Sequence, residues 1–426
     1  MGITSRFDIK KIVTLAIFVL IGIFVILKGA IYYPDSYAFL EMRFNRSPLY
    51  ASFLKLFTSI FGSRFEYPLI VVQYLILLSA VRQLLKTITC EFRIALWGQL
   101  AMLLVLLAPC VHWHYVANKI LSEALAYPLL LLVISETINL FFKSNIKRLY
   151  LLALWLFLLL LARGQFIVLI PILVMFQILF AWRHKQWRIG LQNIVIFLCI
   201  PLASNITERS YNKVVHGHFV NNAMNYVHLI SADFFLSREN DVNIFDDADQ
   251  QTYFREVHGS LKEANLLQLS MDSSIDDQQQ FQHNFTQICN RRVHDIGLQY
   301  FEAKGLDIVE QHVAINELCA SMVFSMMNQH IKERISLFYK NLKTTFGSSK
   351  YLVLFLVILG FGIYGMIRFK DVFYEFIVLV FTFMFANNIA VTIVVHPINR
   401  YTFYFDWILF AILIILLDRY SKKVTQ

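Results

Sequence analysis

The stretch Tyr150–Ala181, YLLALWLFLLLLARGQFIVLIPILVMFQILFA, decides the reading of the whole chain. It is apolar over more residues than one bilayer crossing needs, because about 20 residues of helix span a hydrocarbon core. A single polar step, Arg163-Gly164-Gln165, divides it. The reading is two membrane helices, 149–163 and 165–181, with an arginine at the joint.

Working outward, the same criterion marks apolar segments at 11–29, 67–81, 94–111, 122–142, 189–205, 350–367, 372–395 and 402–418. Composition agrees. Hydrophobic residues make up 58% of the chain and charged residues 16%, against about 25% charged in soluble domains. Arg6, Lys10 and Lys11 precede the first apolar run, which continues to Leu27 without a small-residue cleavage site. That pattern reads as a first spanning helix, not as a removable signal peptide.

The charges between the segments set the orientation. Alternate loops carry Arg82, Lys86 and Arg93, then Lys143, Lys147 and Arg148, then Arg183, Lys185 and Arg188, then Arg368 and Lys370, and finally Arg419, Lys422 and Lys423. The intervening short connections hold little beyond Lys119, Arg163 and Arg400. Cytosolic loops are enriched in Lys and Arg, so this alternation places both termini in the cytosol. It also accounts for the net charge of +9 without a nucleic-acid partner. The expected fold is an all-α polytopic membrane protein, a bundle of about ten transmembrane helices with one extracytosolic insertion. Its divisions are an N-terminal membrane module at 1–205, with a first outer loop at 30–66, a soluble loop region at 206–349, and C-terminal membrane helices at 350–426.

Within the first outer loop, Leu49–Phe61 is amphipathic and is expected to lie along the membrane surface. In the insertion, Val309, Val313, Leu318, Met322, Met326, Ile331, Ile335 and Phe338 recur at helical intervals. The preceding Asn240–Gln251 and Asp272–Gln282 are acidic and Gln/Asn-rich, and are expected to be loosely ordered. None of the five cysteines forms a CxxC spacing, and Cys289 and Cys319 share a polar region where a disulfide could form. No P-loop or dinucleotide fingerprint stands between a strand and a helix, so no nucleotide cofactor is expected; a divalent metal is left open.

Ionisable groups beside apolar segments are costly and point to function. Here they gather at the outer helix ends. Asp35 follows the first helix in Tyr32-Tyr33-Pro34-Asp35-Ser36-Tyr37, where the proline sets a turn; a solvated loop acid is the plain alternative. His112-Trp113-His114 suits an interfacial aromatic belt better than a metal. Lys119 and Glu123 stand four apart at a helix start, where they share a face and can simply pair. Arg163 and Arg400, the latter in His396-Pro397-Ile398-Asn399-Arg400-Tyr401, must each snorkel or meet an anion. Arg46-Ser47-Pro48-Leu49-Tyr50 alone is a Ser-Pro turn before a helix. His216-Gly217-His218 lacks a convincing third ligand. Together Lys119, Arg163 and Arg400 form a cationic set beside one carboxylate, which suits a phosphate-bearing lipid headgroup and a proton acceptor.

In order along the chain, Pro34-Asp35-Ser36-Tyr37, Arg46–Tyr50, Leu121-Ser122-Glu123, Leu161-Ala162-Arg163-Gly164 and Asn399-Arg400-Tyr401 resemble short motifs of the GT-C glycosyltransferases, such as the bacterial aminoarabinose and protein O-mannosyl transferases. The resemblance implies a polyprenyl-phosphate-linked sugar donor, a glycan, lipid or protein acceptor, and inverting transfer at the outer face of a membrane. It implies Asp35 as catalytic base, and Arg163 and Arg400, assisted by Lys119, as the hold on the donor phosphate. Glu123, His396 and Tyr401 fall within the same motifs or beside them. All these groups are then expected around one outward-opening cavity. Serine beside Asp35 departs from the paired acids of protein O-mannosyltransferases, and the insertion replaces a large C-terminal domain, so acceptor specificity does not carry over. The competing readings are an O-antigen polymerase or ligase, which needs no acid after the first helix, and a transporter or flippase of lipid-linked saccharide. The latter calls for ionisable groups near the bilayer midplane.

Overall fold

The computed structural model describes residues 9–112, 114–142, 147–270 and 275–424; Arg6, Trp113, Lys143 and Asp272 lie outside them. All regular structure among these residues is helical. The chain divides into two compact units: Met1–Thr207 with Ile358–Met384 and Phe403–Gln426, and Glu208–Val357 with Phe385–Thr402.

The first unit opens with α1 (Ile9–Lys28), the short α2 (Pro34–Leu40) and α3 (Pro48–Phe61). There follow α4 (Glu66–Phe92), α5 (Leu96–Val111), α6 (Glu123–Phe141), α7 (Arg148–Ala162), α8 (Leu169–His184) and α9 (Trp187–His216). The second unit holds α10 (Asn225–Leu236), α11 (Ala248–Glu263), α12 (Asp277–Thr286), α13 (Asp295–Glu302), α14 (Ile308–Gln329) and α15 (Ile331–Thr345). The chain ends with α16 (Ser349–Arg368), α17 (Val372–Val394), α18 (Asn399–Thr402) and α19 (Trp407–Val424).

Among the described residues, eight helical segments are long and apolar enough to cross a bilayer, while α5 and α7 are shorter apolar helices of 16 and 15 residues. The protein is therefore an all-α polytopic membrane protein. Helix α6 is its clearest core element. Every residue of it except Asn139 is buried, as expected of a helix that is apolar on all sides. It packs against α4 and α7. Two glutamates on it, Glu123 at its start and Glu136 thirteen residues on, are completely buried. Helix α3 shows the expected amphipathic pattern, with Tyr50, Ala51, Leu54 and Phe57 inward and Leu56 and Ile60 exposed.

Three expectations need correction. Pro34 does not merely turn the chain. It starts α2, because its fixed φ suits a first helical position and Ser36 Oγ accepts from the Tyr33 amide at 2.9 Å. The Gln/Asn-rich segment is ordered. Asn240–Gln251 forms a 3-10 turn and the start of α11, and Asp241 is buried against His330 at 2.7 Å, a partner 89 residues away. The apolar stripe at 309–338 is not one helix face. A break at His330 separates α14 from α15 and shifts the phase, so Ile331 and Ile335 are exposed while Leu337 is buried.

The second unit has its own core, built from Phe234, Phe235, Tyr253, Phe254, Phe281 and Met322 among others. Cys289 and Cys319 lie in that core as unbonded thiols, so no disulfide joins them. Burial pushes both thiols up to about 12. In the same unit His294 Nε2 and His312 Nδ1 form a hydrogen bond of 3.0 Å, in which one ring must donate and the other accept. Burial, followed by the neighbouring His294, pushes His312 down to about 4. A group depressed in the folded state contributes stability that is complete above its unfolded value near 6.5 and is lost as pH falls through about 4. His312→Asn is expected to remove on the order of 3 kcal/mol of that pH dependence. Circular-dichroism melts near neutrality and near the acid end of this window check it: wild type should lose more stability on acidification than the variant.

Candidate functional site

The Asp35 region is built from the backbone outward. Helix α1 ends at Lys28, and Gly29 follows with φ +71, a left-handed conformation natural to glycine. The last carbonyls of such a helix need donors. Asn118 supplies them, its Nδ2 reaching Val25 O at 2.7 Å and Gly29 O at 2.8 Å. The next residues form the one isolated bridge among the described residues, Ile31 to Lys119, with Ile31 N on Asn118 O at 2.8 Å and Ile120 N on Ile31 O at 3.0 Å. The first outer loop is thereby stitched to the segment between α5 and α6. The seam is held from below by buried groups. Gln73 Nε2 donates to Ala117 O at 2.8 Å, and Tyr50 OH donates to Gln73 Oε1 at 2.9 Å and to Lys119 O at 3.2 Å.

On this frame Asp35 occupies the first turn of α2, with its side chain about one-third exposed. Arg46 NH2 donates to its Oδ1 at 3.0 Å, and the same guanidinium lies over the Phe39 ring at 5.6 Å. Lys119 is almost buried, and its ammonium stands 5.1 Å above the ring of Tyr33, two residues before Asp35. A carboxylate reachable by solvent and a nearly buried ammonium are thus mounted on two segments joined by one bridge.

Lys119 and Glu123 do not stand on one helical face, because α6 begins only at Glu123 and Lys119 belongs to the bridge. Glu123 meets Arg163 instead. Arg163 NH1 lies 2.9 Å from Glu123 Oε1 and 3.1 Å from Tyr404 OH. The arginine expected to snorkel or to meet an external anion therefore has a carboxylate from its own chain. Aromatic packing closes this pocket of charge: Tyr404 meets Phe166 edge-on at 5.0 Å, and His114 stacks on Phe403 at 4.3 Å. Burial pushes His114 down to about 4, so it is neutral at physiological pH.

His396, Arg400 and Tyr401 belong to the second unit, with the insertion rather than with the C-terminal membrane helices. His396 stacks on Phe285 at 4.1 Å, and burial pushes it down to about 4. Arg400 lies over its neighbour Tyr401 at 5.8 Å, and Tyr401 O accepts from Asn387 Nδ2 at 3.2 Å. The third ligand missing beside His218 in the sequence has a counterpart in space. His218 Nε2 is 3.0 Å from Asp307, and Glu310 completes a group whose ligand atoms lie within 4.8 Å. Asp307 and Glu310 already form the capping box of α14, which explains their closeness without an ion.

Sequence reasoning passed over Tyr404 and the Gln73–Asn118 frame, and took Arg46 on its own as part of a plain turn. The available signal was polarity inside or beside apolar runs. Compared with known protein families, curated proteins and solved structures, the chain has no match.

Proposed function

We propose that this chain is a glycosyltransferase of the GT-C kind. It moves a sugar from a polyprenyl-phosphate donor to a glycan, lipid or protein acceptor at the outer face of a bacterial plasma membrane. In this reading α5 and α7 also cross the bilayer, giving about ten crossings with both termini in the cytosol. The observation that carries the reading is the solvent-reachable Asp35 carboxylate, oriented by Arg46, on a loop bridged to the Lys119 segment.

The chemistry follows from those groups. The acceptor hydroxyl attacks the anomeric carbon and passes its proton to the Asp35 carboxylate. The carbon–oxygen bond to the lipid phosphate breaks, the configuration inverts, and the phosphate leaves with its negative charge. Cations stabilise that charge, and Lys119, on the segment bridged to the Asp35 loop, is the candidate. Arg163 acts chiefly as the partner of Glu123.

The test is a transfer assay with the purified chain and a panel of radiolabelled polyprenyl-phosphate sugars. One donor class should be consumed with release of polyprenyl phosphate. Transport of label without any cleavage of the donor would replace the transferase with a flippase.

A further inference from the structure

At the other end of the same helices lies a second polar feature. Helix α4 is apolar over most of its length, yet Ser79, Arg82, Gln83, Lys86, Thr87 and Cys90 recur at three- and four-residue spacing and share a face. That face lines a half-open cavity of about 510 Å³, together with Asn139 at the end of α6 and Arg148 at the start of α7. The size falls within the range of roughly 300–1,000 Å³ typical of ligand sites.

Its wall is built, not incidental. Thr87 Oγ1 and Ser135 Oγ are 2.9 Å apart and buried, and Asn139 Nδ2 reaches Thr87 at 3.4 Å. The buried Glu136 carboxylate accepts from Gln83 Nε2 and lies 3.6 Å from Arg148. Arg148 is thus partly balanced. Among the described residues, neither Arg82 nor Lys86 has an ion-pair partner.

Loop cations that merely set topology need only lie beyond the helix end. These two stand inside a helical stripe that begins at Ser79, well before α4 ends at Phe92. The helix is 27 residues long, about 40 Å, and exceeds a hydrocarbon core of about 30 Å. Its last turns therefore reach the depth of lipid headgroups. From Glu123 to Asn139, α6 rises about 24 Å, which puts this cavity near the face opposite Asp35.

We propose that this cavity binds a phosphate group, with Arg82 and Lys86 as its charged contacts and Gln83, Thr87 and Asn139 as neutral donors. The inference is independent of the glycosyl-transfer reading. The phosphate belongs either to the headgroup of an acidic phospholipid or to a soluble phosphate compound, and both offer the same chemistry.

Cys90 lines the cavity and is exposed, which makes it the reporter. The other exposed thiol, Cys199, is removed by Cys199→Ser, and the full chain is placed in phosphatidylcholine nanodiscs. Labelling of Cys90 by a water-soluble maleimide is timed with and without phosphatidic acid, and with and without inorganic phosphate against chloride at equal ionic strength. Protection by phosphatidic acid alone assigns a lipid headgroup, and protection by inorganic phosphate as well assigns a site open to soluble phosphates. Arg82→Gln/Lys86→Gln should weaken protection by on the order of tenfold to a hundredfold, and Arg82→Lys should retain most of it. Continued protection of the buried Cys110 from the same reagent, as in the parent, shows that the double variant is folded. Equal labelling of the parent under all conditions, or undiminished protection in the folded double variant, overturns the proposal.

Discussion

Asp35→Asn is expected to lower sugar transfer by about 10²–10⁴-fold, the usual loss when a general base is removed. The substitution is nearly isosteric. The amide oxygen can still accept from Arg46 NH2, which sits 3.0 Å from Asp35 Oδ1, so the α2 turn keeps its contact. What disappears is the ability to take a proton. The plain alternative is that Asp35 serves only as a loop staple through Arg46. The two roles separate when Arg46→Gln is measured beside it. A staple predicts that both variants lose activity together, with matching losses of stability. A base predicts that Asp35→Asn loses turnover at unchanged donor affinity, while Arg46→Gln keeps measurable turnover because the carboxylate remains. Partly exposed ion pairs are worth about 1 kcal/mol or less, so neither change should unfold the protein. Full transfer activity in Asp35→Asn would end the proposed mechanism.

The parts of this architecture that were legible in the sequence share one cause. A bilayer forces each spanning segment to be helical and apolar, so composition along the chain maps onto helices, and each expected apolar segment overlaps helix, although α4 and α9 run on well past the expected ends at 81 and 205. Amphipathic order in α3 was legible for a similar reason, since an interface imposes a period. Partners were not legible. Glu123 and Arg163 each stand out as costly groups, but 40 residues separate them, and only the packing of α6 on α7 brings them together. Asp241 and His330 make the same point in the second unit: local composition suggested a loose loop, and a distant histidine orders it. Tyr404 was missed because its hydroxyl becomes informative only once Arg163 is known to lie 3.1 Å away. At His330 the sequence pattern continues through a point where the helix itself does not.

The Glu123–Arg163 pair leads to the second large effect. Helix α6 carries a buried glutamate near each end, and an arginine at each end of α7 answers it: Glu123 with Arg163 at 2.9 Å, and Glu136 with Arg148 at 3.6 Å. The first pair is the more deeply enclosed, with Glu123 wholly buried and Arg163 only 10% exposed. Removing one member leaves the other as a charge in a low-dielectric interior, which typically costs about 3–5 kcal/mol. Glu123→Ala is therefore expected to destabilise the protein by about that amount in denaturant titrations of the detergent-solubilised chain. Tyr404→Phe removes one neutral acceptor of an Arg163 N–H and should cost only about 0.6 kcal/mol, near the average for polar contacts between membrane helices. The double change Glu123→Leu/Arg163→Met removes both charges and should recover most of the loss, because replacing an entire buried pair with apolar groups is often near neutral. This recovery also bears on donor binding. If Arg163 serves mainly to satisfy Glu123, the double variant regains stability and keeps its affinity for polyprenyl phosphate. If Arg163 also grips the donor, stability returns while affinity falls. A Glu123→Ala protein as stable as wild type would mean that the pair is solvated in the native membrane fold.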